Sequence, residues 1–395
     1  MKRVLIFSLA YHPFVGGAEV AIKEITDRLD TKEYVFEMIT LRFDRNLPKV
    51  EHIGNIIVYR VGFSVRGAKV SDRSLPFFCK VAKVLFPLTS FLKASSLHRR
   101  GAYNMVWAMM ANQAGFGALF FSWYAKVPMV LELQDGHAFQ DMKSRQPVLR
   151  LLWSLYRKIY MHATVVKCIS NFIAKELSGI GYGGRVEIIP NGVDVAKFSA
   201  PVPQEKQRKL KGQFGKSEGD IFLFTASRLV LSRGVEDIIH ALSRLPLQVK
   251  LLIAGEGEDK AKLQHMANEI GVSERVIFAG YVSHNELPAL LSISDIFVRP
   301  SIIEGMGNAF IEAFAAGVPI IGTPVGGIPD FLFDGKTGIF CQVRDPASIA
   351  KAVERYLGDS ILMERVVENA RELAAEKYDW RLIALAMEDK IFSRI

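Results

Sequence analysis

The sequence predicts an α/β protein built from two doubly wound, parallel-sheet domains. Three observations carry that expectation. Apolar runs of strand length alternate with stretches of helical length from one end of the chain to the other. The alternation stops once, in a polar, Pro- and Lys-rich stretch after Pro190, and then resumes. A chain of 395 residues is also too long for one ordinary core, so two domains of roughly 190 residues are expected.

The strand candidates of the first half are KRVLIFSL, YVFEMITL, NIIVYRVG, YNMVWAM, PMVLEL, TVVKCIS and RVEIIP. Those of the second half are IFLFTAS, VKLLIAG, RVIFAG, DIFVRP, PIIGT and GIFCQV. Most are separated by enough residues for a crossover helix, the pattern of parallel strands. The break near residues 190 to 220 is the domain boundary, giving domains 1–192 and 193–379. The tail from about Glu354 reads as mostly helical. The opening MKRVLIFSLAYHPF has a basic start and a short apolar run but no small-residue cleavage site, and reads as the first strand. Tyr103 to Ala125 carries no charge and is long enough to span a bilayer. Asn104, Asn112, Gln113, Gly115 and Gly117 interrupt it, so a buried strand, a turn and a buried helix are expected instead.

Cys79, Cys168 and Cys341 are odd in number and far apart, which fits a reducing, cytoplasmic compartment and excludes a disulfide framework. Charge is uneven. Residues 1–199 hold 27 Lys and Arg against 15 Asp and Glu, a surplus of 12, while the remainder holds 23 against 26. Between Arg60 and Met105 nine basic residues accompany a single acid, Asp72, interleaved with apolar residues. A basic, amphipathic segment of that kind suits an anionic membrane surface, so peripheral attachment to the inner face of the cytoplasmic membrane through residues 60–105 is expected. Nucleic acid is not expected as a partner, because no nucleic-acid module accompanies the charge.

Ligands of doubly wound sheets sit beyond the C-terminal ends of the strands, so chemistry belongs in the loops that follow them. Three such loops stand out. In HPFVGGAEV, Gly16 and Gly17 lie between the first strand and a helix, where glycines admit a ligand to the backbone and the helix N-terminus favours an anion. A plain tight turn explains them equally well. In SRLVLSRG, Arg228 follows a strand and Arg233 precedes a helix, so two guanidinium groups are placed to grip a diphosphate. In EGMGNAFIE, Glu304 and Glu312 flank Gly305 and Gly307, with a helix starting near Asn308. A fully helical segment would set the two carboxylates ~12 Å apart. The glycine turn instead lets Glu304 fold back, with the amides of Met306, Gly307, Asn308 and Ala309 between the acids at the positive end of the helix dipole. That pattern suits a ligand rich in hydroxyls at both ends and anionic in the middle, such as a sugar nucleotide.

The block EGMGNAFIEAFAAGVPIIGTPVGGIPDFLFDGKTGIF resembles the hallmark of the family 4 retaining glycosyltransferases, with their E-x7-E motif at Glu304 and Glu312. HPFVGGAE, IPNGVD, SRLVLSRGVEDII, LLIAGEGE and RVIFAGYVSHNEL follow the same family's pattern in the right order, over nearly the whole chain. The resemblance implies a GT-B fold, two Rossmann-like domains facing an interdomain cleft, with the donor on the C-terminal domain and the acceptor against the N-terminal one. It also implies that a last helix, about 380–395, packs back on the N-terminal domain.

By the same resemblance the donor is a UDP- or GDP-sugar and the acceptor a saccharide or lipid-linked saccharide in envelope polysaccharide or glycolipid synthesis. Glu312 would hold the ribose hydroxyls and Glu304 the transferred sugar. Arg228 and Arg233 would clamp the diphosphate with help from Gly16 and Gly17. Neither a cofactor nor a metal is implied, and no DxD motif is present. Two positions depart from the family. Arg233 stands where lysine is usual, replacing a point charge by a planar fork. Gln134 stands where many members have histidine, with Asp135 beside it and His137 three residues on, and glutamine cannot carry a proton as imidazole does. Two other readings are compatible with the fold: a nucleotide-sugar epimerase, and a non-catalytic sugar-nucleotide-binding subunit.

Overall fold

The computed structural model describes residues 1–14, 16–67, 75–136 and 153–395. The chain divides into two compact units, one of residues 1–191 together with 380–395 and one of residues 192–379.

In the first unit the apolar runs form β1 (Lys2–Phe7), β2 (Tyr34–Leu41), β3 (Val50–Ile53), β4 (Ile56–Val61), β5 (Met105–Met109), β6 (Met129–Leu133), β7 (Val165–Cys168) and β8 (Arg185–Ile188). They make one sheet in the order β3-β4-β2-β1-β5-β6-β7-β8. Every pairing is parallel except that of β3 with β4. β3, the antiparallel edge of an otherwise parallel sheet, is not among the strands expected from the sequence. β3 is a four-residue edge strand whose side chains are alternately exposed and half-buried. It carries no apolar run, and only the turn at Gly54, with φ of +56°, marks the hairpin. The order reverses between β1 and β5, which places the loops after β1, β5 and β6 around the switch point.

The uncharged segment from Tyr103 resolves into β5 and the helix Gln113–Ala125. That helix packs tightly on the helix Phe77–His98, since a Cβ at Gly117 would lie 2.2 Å from Ser90 Oγ. Cys79, Ala82, Phe86, Ser90, Ala94 and Leu97 form the buried face of Phe77–His98. Its other face leaves Val84, Leu88 and Leu92 between 55% and 70% exposed. Among the described residues no helix is long and apolar enough to cross a membrane. The helix Trp380–Lys390 and the residues after it complete this unit. Trp380, Met387 and Phe392 share a core with Phe36 and Trp107, and Lys2 Nζ donates to the Phe392 carbonyl at 2.7 Å.

The second unit contains β9 (Ile221–Ala226), β10 (Val249–Ala254), β11 (Val276–Gly280), β12 (Ile296–Arg299), β13 (Ile320–Gly322) and β14 (Ile339–Phe340). They form a parallel sheet in the order β11-β10-β9-β12-β13-β14. Here the order reverses between β9 and β12, so the loops that follow these two strands meet at the switch point.

Candidate functional site

In the second unit the loops after β9, β10 and β12 are joined backbone to backbone. Ile302 N–H donates to the Ser232 carbonyl at 2.9 Å, and Leu229 N–H donates to the Glu256 carbonyl at 3.0 Å. Glycine is needed for these approaches at two points in particular. Gly234 has φ of +67°, and a Cβ there would sit 2.0 Å from the Pro300 carbonyl oxygen. Gly326 has φ of +56°, and its Cβ would sit 1.7 Å from the Glu304 carbonyl oxygen. Around Glu304 main chain therefore packs directly on main chain.

Glu304 lies in the loop after β12 and is 6% exposed. Its Oε2 accepts from Arg233 Nη1 at 2.7 Å and is paired with Arg299 Nη2 at 2.6 Å. Arg233 is the last residue of a 3₁₀ turn, Leu231–Arg233, and also donates to the Ile303 carbonyl at 3.3 Å. Arg228 is exposed at the start of the same loop. Arg299, the last residue of β12, is almost fully enclosed, and burial pushes its guanidinium down to about 10 against the pull of Glu304. Gly305, Met306 and Gly307 complete the turn, and Gly307, with φ of +88°, caps the helix Asn308–Ala316 with no side-chain bond. Asn308 and Ala309 open that helix and Glu312 follows on it, 8% exposed.

Glu312 Oε1 lies 3.0 Å from His284 Nε2. The other ring nitrogen, Nδ1, is 3.3 Å from Lys197 Nζ. An ammonium can only donate, so Nδ1 accepts, and the ring proton sits on Nε2 and is donated to Glu312. The imidazole is laid against Phe198 with ring centroids 5.3 Å apart. Lys197 and Phe198 come from the short helix Val195–Ser199, at the start of this unit.

In the first unit Gln134 follows β6 directly. Its Nε2 donates to Glu132 Oε1 at 2.5 Å, and its Oε1 accepts from Asn191 Nδ2 at 3.1 Å. Glu132 also accepts from Lys167 Nζ at 2.6 Å and from Trp107 Nε1 at 2.9 Å. The Gln134 amide is therefore held at both ends by a buried polar chain. Asp135 is exposed, and His137 lies outside the described residues. Gly16 precedes the helix Gly17–Thr26, and its N–H donates to Glu19 Oε2 at 2.7 Å. Burial pushes the Glu19 carboxyl up, opposed by that bond. In this structure the Gly16 amide serves the helix's own N-terminus.

The structure brings Glu304 and Arg233 into direct contact, and sets Glu312 one helix turn beyond the Asn308–Ala309 start. Sequence reasoning passed over Arg299, His284, Lys197, Lys167 and Asn191. Arg299 and Lys167 did leave a signal: a charged residue inside an apolar strand run needs a buried partner.

Two family models match. One, described as Glycosyltransferase Family 4, covers residues 15–197, and the other, Glycosyl transferases group 1, covers residues 206–373. An uncharacterized glycosyltransferase of Methanocaldococcus jannaschii is 25% identical over 97% of this chain and 96% of its own. A GDP-mannose-dependent alpha-(1-6)-phosphatidylinositol monomannoside mannosyltransferase of Mycolicibacterium smegmatis is 32% identical over 62% of this chain and 65% of its own. Among solved structures, Anabaena HepE in complex with UDP and glucose superposes over the full length of both chains with a TM-score of 0.78 at 18% identity. With one family model on each unit and a GT-B neighbour along the whole length, the chain belongs to the family 4 glycosyltransferases and has their GT-B fold.

Proposed function

We propose that the protein is a retaining, metal-independent glycosyltransferase that moves a sugar from a UDP- or GDP-sugar to a saccharide or lipid-linked acceptor, in polysaccharide or glycolipid synthesis. The observation that carries the reading is the pair Glu304 and Glu312. Both are buried, Glu304 in the loop after β12 and Glu312 on the helix that this loop opens, and Arg233 and Arg299 stand beside the first. In this reading Glu312 accepts hydrogen bonds from the ribose hydroxyls and Glu304 from the transferred sugar, while Arg228 and Arg233 take the diphosphate. The bond between the anomeric carbon and the β-phosphate oxygen breaks through an oxocarbenium-like state. The acceptor oxygen bonds to the same face, and its proton passes to the departing phosphate. Fixed cations stabilise the charge that gathers on that phosphate.

The acceptor is proposed to be met at an anionic membrane surface on the cytoplasmic side. Support comes from the helix Phe77–His98, which exposes Val84, Leu88 and Leu92 and carries Lys80 on the surface, with Arg99 and Arg100 exposed just beyond its end. The relative whose name specifies a phosphatidylinositol mannoside substrate is consistent with a lipid acceptor.

Calorimetric titration with UDP and with GDP, each with and without magnesium, tests the donor site on the wild type and on Glu312→Ala. Metal-independent binding of one nucleotide, lost in the variant, is the expected result. Failure of the wild type to bind either nucleotide overturns the reading. Binding without transfer from any sugar nucleotide of the matching base would leave a sugar-nucleotide-binding subunit in its place.

A further inference from the structure

We propose that Arg299 is a positioning residue that keeps a cation on Glu304 so that Arg233 is free to turn to the donor's diphosphate. The proposal rests on the donor-site reading above. Both guanidinium groups meet one and the same carboxylate oxygen, Oε2, at 2.6 Å from Arg299 and 2.7 Å from Arg233. The two guanidinium groups therefore share one carboxylate oxygen, and Glu312 is near enough to act on Arg299 as well.

The two arginines are not equivalent. The Arg299 side chain is 8% exposed and is anchored at the end of β12, whose last residue is in register with Gly322 of β13. The Arg233 side chain is 27% exposed and hangs from a 3₁₀ turn. The Nε of each is buried with no hydrogen-bond partner, so neither fork is fully used by the carboxylate. When an anion enters, the more exposed arginine on the softer element moves to it, and the enclosed one stays. Without Arg299, the departure of Arg233 would leave a buried carboxylate with no cation, and Arg233 would be retained by Glu304 instead. Arg299 thus acts on diphosphate affinity without touching the diphosphate.

The test is a double-mutant cycle on the full chain, read as the affinity for whichever of UDP or GDP the wild type binds. Arg233→Met is expected to lose roughly tenfold, the scale of one charge-assisted hydrogen bond. Arg299→Met should lose about as much, and adding Arg233→Met to it should cost little more, because in that background Arg233 is already withheld. Neutralising the carboxylate releases Arg233 again, so Arg299→Met with Glu304→Gln should regain most of the affinity. If Arg299→Met alone fails to fold, this charge-balanced pair carries the test: near wild-type affinity, lost on adding Arg233→Met, supports the proposal. A residue that only braces the fold would lower thermal stability and leave the coupling at zero. Wild-type affinity in Arg299→Met, full additivity of the two losses, or no rescue by Glu304→Gln would each overturn the proposal. Should the wild type bind neither nucleotide, the donor-site reading itself falls, a result separate from all of these.

Discussion

Lys167 Nζ and Glu132 Oε1 lie 2.6 Å apart with both side chains wholly buried, and the two residues are register partners in the parallel pair β7 and β6. The pair forms because neighbouring parallel strands put matched positions side by side. Glu132 is satisfied further by Trp107 and Gln134, so desolvation is offset by a nearly complete set of hydrogen bonds. Lys167→Met leaves an uncompensated buried carboxylate and should cost about 3–5 kcal/mol in denaturant unfolding. Lys167→Met combined with Glu132→Gln removes both charges and should recover most of that loss. Equal destabilisation of the single and double variants would show that packing, not charge, sets the cost.

His284 should matter to nucleotide affinity and little to stability. Its ring is half-exposed and lies between Glu312 and Lys197. His284→Ala frees Glu312 Oε1 to turn away and removes one hydrogen bond, worth about 1 kcal/mol, or roughly fivefold in nucleotide affinity. His284→Gln, whose amide can donate to Glu312, should recover part of it. Titration calorimetry beside a thermal melt separates the two effects.

The glycines of the second unit divide by what surrounds them. Gly326→Ala and Gly234→Ala each meet a carbonyl oxygen at 2.0 Å or less, in a left-handed backbone conformation. Each should cost more than about 3 kcal/mol and abolish nucleotide binding with it. Gly271 is also left-handed, with φ of +73°, but nothing lies within 4 Å of its Cβ position. Gly271→Ala should cost only about 1–2 kcal/mol, the ordinary penalty of that conformation, and leave binding intact. Equilibrium unfolding of the three variants, with nucleotide titration of each, checks the ranking.

For the membrane reading, the exposed helix face provides a direct lever. Val84→Glu with Leu88→Glu removes apolar area and adds negative charge on a face that is exposed among the described residues. Co-sedimentation with anionic vesicles at low salt should be lost in this variant and weakened by raised salt in the wild type. Transfer to a soluble acceptor should be unaffected. Wild-type sedimentation that ignores both salt and the substitutions would remove the surface from consideration.

The sheet was legible in the sequence wherever a strand is buried on both faces, because such strands are near-continuous apolar runs. β3 escaped because an exposed edge strand needs no such run. The turn and helix around Glu304 were legible because two glycines before an alanine-rich stretch have few other uses. The partners of the charged residues were not. Arg299 meets Glu304 only through the fold of a five-residue turn, and Glu132 meets Lys167, 35 residues on, only through strand register. His284 lies in RVIFAGYVSHNEL, a block that follows the family's pattern, but nothing in that block or around Lys197 pointed from either residue to Glu312.

The placement of residues 380–395 has a consequence for how the molecule comes into being. Synthesis runs from the first residue to the last, so the 192–379 unit, whose ends are tied at Val193 and Asp379, is wholly available to fold before its neighbour is. The first unit waits with a gap in its core until Trp380, Met387 and Phe392 emerge and close over Trp107 and Phe36. The half of the chain that is made first is thus the half that matures last. Through that interval its unfilled core is apolar surface open to chaperones.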